Sequence, residues 1–217
     1  MNSLADDLGK SLSKNIIPVS VEFLENGIDE LISNNVLRDV PILNSIGAVI
    51  RTGKDLRERN LLKQTSAFLS EFNSGTIDEE KLQKYKEKLE NDKGRISELE
   101  RVLLILNNNI DVEKSKYLAK LFTAYINEKI SWNEFCEYSD IINRLFMEDV
   151  RILKTIWSNT VPQPKDGDNF RIERIYSYGI IGNTFSALTD GGQGYNGRVL
   201  NEIGKKFCDI ILREGDS

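Results

Sequence analysis

The chain has 217 residues, of which 40% are hydrophobic, and its 29 lysines and arginines against 34 aspartates and glutamates give a net charge of −5. That size and apolar content predict one folded domain or two small ones, and the acidic balance excludes a protein that coats nucleic acid by bulk positive charge. Histidine is absent, which excludes serine–histidine and cysteine–histidine catalysis and histidine-ligated zinc.

The opening MNSLADDLGKSLSKN is polar and mixed in charge. It predicts a frayed helix or tail and holds no charged-apolar-cleavage signal, so a cytoplasmic protein is expected, with membrane association as the alternative. From Pro18, the residues Val19, Val21, Phe23, Leu24, Ile28, Leu31 and Ile32 predict a first packed helix that stops at Ser33-Asn34-Asn35.

The least ordinary stretch runs from Val40 to Phe72. Pro41 suits the first turn of a helix, and Asp39 lies close enough before it to help cap the start. Val40, Ile42, Leu43, Ile46, Val49 and Ile50 then recur near helical spacing, with Gly47 and Gly53 as weak points. Beyond them Leu56, Leu61, Leu62, Phe68, Leu69 and Phe72 share a face, while Lys54, Arg57, Arg59 and Lys63 occupy the rest. Two readings stay open. In one, this is the central buried helix of a bundle followed by a solvated basic turn. In the other, Val40, Ile42, Leu43, Ile46, Val49 and Ile50 with Lys54, Arg57 and Arg59 form a surface for a membrane or a partner, where apolar burial and attraction to anionic lipid add together. The uncharged run is far below the roughly 20 residues a spanning helix needs. Gly47 and Gly53-Lys54 do not make a phosphate loop, because the glycine spacing is wrong and Asp55 stands where a hydroxyl would hold magnesium.

After Asn73-Ser74-Gly75, the run TIDEEKLQKYKEKLEND predicts a helix with an acidic start and a solvated charged face. Ile96, Leu99, Val102, Leu103 and Leu106 predict a largely buried helix. Asp111 is placed to cap the next, whose core stripe is Tyr117, Leu118, Leu121, Phe122, Tyr125 and Ile126. Ser131 and Glu134 form a capping box that opens a helix through Trp132, Phe135, Cys136, Ile141, Ile142, Leu145 and Phe146, continuing to Trp157. The turn INEKISWNEF has two positions of a calcium loop, but Thr123, Tyr125 and Asn127 cannot supply its carboxylate cage and Glu128 stands at its glycine position.

The stretch SNTVPQPKDGDN changes texture and predicts a linker over 160–168. It separates a helical body over 1–159 (N-terminal helices to 75, a bundle over 76–159) from a module over 169–217. Within that module Asn169 to Tyr178 predicts a helix stopped by Gly179. Ile180 to Thr189 and Tyr195 to Leu200 predict a hairpin, and Glu202 to Arg213 a final helix with Ile203, Phe207, Ile210 and Ile211 inward.

In this region Ile175 with Gly179-Ile180-Ile181, then Leu200-Asn201 with Gly204, resembles the second half of a winged-helix domain, with Asn201 where threonine is usual. The resemblance covers about a quarter of the chain and implies a mainly α protein ending in a small α+β winged-helix-like module. If it extended to function, Arg171 and Arg174 would face DNA and Arg198 would sit on the wing. The textures PILNSIGAVIRTGKDLRERNLLK and EKSKYLAKLF…ISWNEF are similar to uncharacterised helical proteins of bacteria and mobile elements, some linked to phage defence.

No motif marks a catalytic, cofactor or metal site. Glu98, Glu100, Asp140, Glu148 and Asp149 have the spacing of exposed helix acids, and Cys136 and Cys208 sit in apolar patterns expected to bury them, a disulfide between them staying open. The expectation is therefore a non-enzymatic protein that binds another protein or itself, without cofactor, in bacterial stress or phage defence. A membrane-acting effector using residues 40–63 and a DNA-binding regulator are the alternatives.

Overall fold

The computed structural model describes residues 3–12, 35–53, 56–91, 93–158, 168–183 and 198–213. Ten α-helices, one short 3-10 helix and one strand pair make up these residues, so the fold is mainly α with a small antiparallel sheet near the C-terminus. The helix expected over 18–32 lies outside the described residues. The chain divides into two compact units, Met1–Ser139 and Asp140–Ser217. That division falls before the proline-containing stretch expected as a linker, most of which also lies outside the described residues.

The N-terminal unit begins with α1 (Leu4–Ser11). Its start is a capping box: the Asp6 backbone N–H donates to Ser3 Oγ at 3.1 Å and the Ser3 N–H to Asp6 Oδ2 at 2.9 Å. Of the expected frayed helix or tail, the helix is present, but it is capped and packed and not frayed, since Ala5, Leu8 and Leu12 are buried. Next come the 3-10 helix Asn35–Asp39 and α2 (Pro41–Thr52). The cap of α2 is supplied from α1: the Ile42 N–H donates to Ser11 Oγ at 3.1 Å, and Ser45 Oγ donates to Asp7 Oδ2 at 2.6 Å. Asp39 is therefore not the cap, and the N-cap position is Val40.

Gly53 ends α2 in extended backbone, and α3 (Leu56–Ser74) begins a few residues later. It is followed by α4 (Glu79–Asn91), α5 (Lys93–Asn108), α6 (Val112–Ile126) and α7 (Trp132–Arg144), within which the unit boundary falls. The capping box at Ser131 and Glu134 is present, each residue holding the other's backbone N–H. Asp111 occupies the N-cap position of α6 without a side-chain cap bond.

Helices α3 and α6 pack along their lengths and run in the same direction. At one end Ser115 Oγ donates to the buried Gln64 at 2.7 Å, and Gln64 donates to the Ile110 carbonyl at 2.9 Å. At the other, Asn127 bonds the Thr76 carbonyl and the Asp78 N–H. Between them lies an aromatic hub. Phe122 sits 5.7 to 6.0 Å, ring centre to ring centre, from Phe68, Phe72, Tyr85, Tyr125 and Phe135.

In the C-terminal unit, α8 (Met147–Trp157) packs against α9 (Asp168–Ser177), strand β2 (Arg198–Leu200) and α10 (Glu202–Leu212). Strand β1 (Ile181–Asn183) pairs antiparallel with β2, Ile181 opposite Leu200. Ile180, expected as the first residue of the hairpin, precedes β1, and residues 184–197 lie outside the described residues. The helix expected to run from Trp132 to Trp157 is interrupted, with Leu145 and Phe146 between α7 and α8. Of the residues expected inward on α10, Phe207 and Ile211 are buried while Ile203 is exposed.

Gly179, Ile180, Asn201 and Gly204 meet at the start of α10. Asn201 caps α10 by accepting from the Gly204 N–H at 2.8 Å and donates its amide to the Gly179 carbonyl at 2.7 Å. Gly179 has φ of +76°, a conformation that favours glycine. At Gly204 a Cβ would collide with the Ile180 carbonyl oxygen and lie 2.9 Å from its carbon. Both are backbone atoms and cannot swing aside. Gly204→Ala is therefore expected to destabilise the C-terminal unit by about 3 kcal/mol, the upper end of overpacking losses, read as a lower urea midpoint.

Candidate interaction surface

The sequence left α2 open as a buried central helix or as a surface for a membrane or partner, and its apolar face lies in the core. Val40, Ile42, Leu43, Ile46 and Ile50 are buried against α1, the 3-10 helix and α3, because each of those elements presents its own apolar face there. Of the six apolar residues only Val49, 49% exposed, looks outward. Arg57 is exposed and Arg59 half-buried, both with interaction partners of their own, and Lys54 lies outside the described residues. The described members of this set form no continuous greasy and cationic surface. No helix among the described residues is long and apolar enough to cross a membrane.

The three arginines proposed to contact DNA are held by carboxylates of their own unit. The start of α8 is the origin of this arrangement. Asp149 turns back to accept the Phe146 backbone N–H at 2.9 Å, the acidic half of a capping box, and so its carboxylate is fixed in the interior with no solvent exposure. Arg174, arriving on α9, closes on it with both arms of its guanidinium: Nε donates to Oδ2 at 3.0 Å, and Nη2 to Oδ1. Donating these hydrogen bonds to the Asp149 carboxylate holds the Arg174 guanidinium pKa above its usual value.

A second buried carboxylate, Asp168, accepts from Arg151 at 2.7 Å and lies 3.5 Å from Arg171, while Arg151 Nε also donates to Glu148 at 2.5 Å. Arg151, Arg171 and Arg174 are thus matched by Glu148, Asp149 and Asp168. Arg198 pairs with Glu173 at 2.7 Å, bonds Asn183 and stacks 4.0 Å from the Tyr176 ring centre. Affinity for DNA grows with the phosphates a protein can neutralise. Cations already compensated at this range offer little of that.

What the pairing creates instead is an aromatic surface. Phe146 and Phe170, expected neither as a site nor as exposed, are 59% and 69% accessible. Both rings pack on the Arg174 guanidinium, at 4.3 and 5.2 Å from its carbon. Guanidinium on ring face is favourable, and the ion pair to Asp149 holds the cation still beneath them. The sequence signal that could have exposed Phe146 is the acid three residues later: Asp149 marks a helix start, which places Phe146 outside the helix and off the core stripe.

Elsewhere the chemistry is quiet. Cys136 is half-buried and Cys208 buried, both free, and burial pushes both thiols up, Cys208 to about 12. Among the described residues, no group of three cysteines or carboxylates is placed to hold a metal ion. No protein-family model, curated protein or solved structure matches the chain.

Proposed function

We propose that the protein is a non-catalytic binding protein that docks a protein partner through Phe146, Arg174 and Phe170 of its C-terminal unit. The observation that carries this reading is the exposure of two phenylalanine rings on an arginine immobilised by a buried carboxylate. Single exposed apolar side chains are ordinary, whereas aromatic residues and arginine gathered in one place are the residue types that anchor interfaces. Anchors already held in position lose less conformational entropy on binding. The setting, bacterial stress or phage defence, is inferred from sequence texture alone.

The test is photo-crosslinking from position 170 followed by affinity measurement on the captured partner. Phe170→Glu and Phe146→Ser leave the Asp149–Arg174 pair in place and are expected to keep the wild-type circular dichroism and melting temperature. Each is expected to weaken the complex by about 30-fold, the scale of an interface hot spot. If both variants bind as wild type does, the partner sits elsewhere and this reading is wrong. Light scattering of the same variants identifies the partner as a second copy if wild type alone forms dimers.

A further inference from the structure

In the N-terminal unit α1, α4 and α5 leave a cleft of about 250 Å³ between them. Ala5 of α1, Leu89 of α4 and Ile96 and Leu99 of α5 give it an apolar lining, and Asp6, Lys10 and Lys86 stand around it. Close helix approach shapes one wall: a Cβ on Gly9 would lie 3.1 Å from Leu89 and 3.2 Å from Leu99. The three charged groups are not equivalent. Asp6 is committed to Ser3, whose backbone N–H it accepts at 2.9 Å. Lys10 lies 3.9 Å from Asp7, an exposed and loose pairing. Lys86 is half-buried, and no carboxylate pairs with it among the described residues.

A partly desolvated ammonium without a counter-ion is a standing cost, and burial accordingly pulls the Lys86 pKa below the usual lysine range. An incoming anion would remove that cost. The apolar walls ask for a hydrocarbon body attached to it, and the volume, below the roughly 300–1,000 Å³ of pockets that engulf drug-sized molecules, asks for a small one. We propose that this cleft binds a small amphipathic carboxylate, its aliphatic or aromatic body against Leu89, Ile96 and Leu99 and its carboxylate on the Lys86 ammonium, with Lys10 adding positive charge at the mouth. The site is separate from the aromatic surface of the other unit and does not depend on it.

Octanoate, octanol and octylamine are suitable probes, titrated into the full chain by calorimetry with amide chemical shifts as a structural readout. Octanoate is expected to bind about tenfold or more tightly than octanol, as a charge-assisted hydrogen bond would give, and octylamine not to bind. Lys86→Gln should remove the preference for octanoate while leaving octanol unchanged, Lys86→Arg should restore it, and Ile96→Trp should abolish binding of both. Shifts should gather on residues 5–10, 86–89 and 96–99. Equal binding of octanoate and octanol, an unaltered preference in Lys86→Gln, or no binding of any probe to a folded wild-type chain overturns the proposal.

Discussion

Phe122→Ala is expected to lower the stability of the N-terminal unit by about 4 kcal/mol, within the range for emptying a fully buried phenylalanine site. Phe122 has no solvent exposure, and five other rings meet it. Those rings come from α3, α4 and α7 as well as α6, so the side chain is the common contact of four helices. Removing it leaves a cavity that no single helix can close, because Phe68 and Phe72 are stacked on each other and Tyr85 and Tyr125 are tied by hydrogen bonds to Glu98 at 3.2 and 2.9 Å. Edge and tilted ring contacts add to the loss beyond buried area. Urea unfolding followed by near-ultraviolet circular dichroism measures it, with Phe122→Leu as the control that retains most of the volume and loses about half as much. A loss below about 1.5 kcal/mol for Phe122→Ala would mean the hub relaxes around the gap and does not join these helices as described.

The hub also shows how far the sequence could be read. Tyr85 stands in a run expected as a solvated charged face. Phe68, Phe72, Phe122, Tyr125 and Phe135 lay on apolar stripes, since Phe68 and Phe72, or Phe122 and Tyr125, are spaced for one helix face, and burial follows from that spacing. Their convergence on Phe122 does not, because periodicity records the face of a helix and not the neighbour that covers it. The same limit explains the N-terminus. Leu8 and Leu12 are four apart and Ser3 with Asp6 is a capping signature, but the polar composition around them hides a helix whose partners are distant in sequence. The cap that α1 supplies to α2 joins Ser11 to Ile42 across 31 residues, and no local rule reaches so far. Continuity failed for a local reason: an unbroken apolar pattern from Trp132 to Trp157 masked the start of a new helix, which Asp149 marks. Of the candidate surface, Arg174 was visible as a basic residue, while its bond to Asp149 spans 25 positions and its effect on Phe146 and Phe170 exists only in three dimensions.

Arg174→Met is expected to destabilise the C-terminal unit by about 3 kcal/mol, because it leaves the fully buried Asp149 carboxylate without its compensating charge. Asp149 has no exposure and cannot turn to water, since the same carboxylate holds the start of α8 through the Phe146 N–H. The charge, and not the lost packing, should dominate. Asp149→Asn combined with Arg174→Met is therefore expected to be more stable than Arg174→Met alone, the asparagine oxygen still accepting the Phe146 N–H without a buried charge. Arg174→Lys separates the two roles of this residue. A lysine supplies the charge but neither the two-armed grip on Asp149 nor a flat face for the rings. It should retain most of the stability while weakening partner binding, because Phe146 and Phe170 lose the plane on which they rest. Chemical denaturation gives the first quantity and partner titration the second. If Arg174→Lys loses stability and binding in proportion, the arginine acts on the surface only by keeping the unit folded; if it loses binding alone, the ion pair serves to hold an aromatic platform in place.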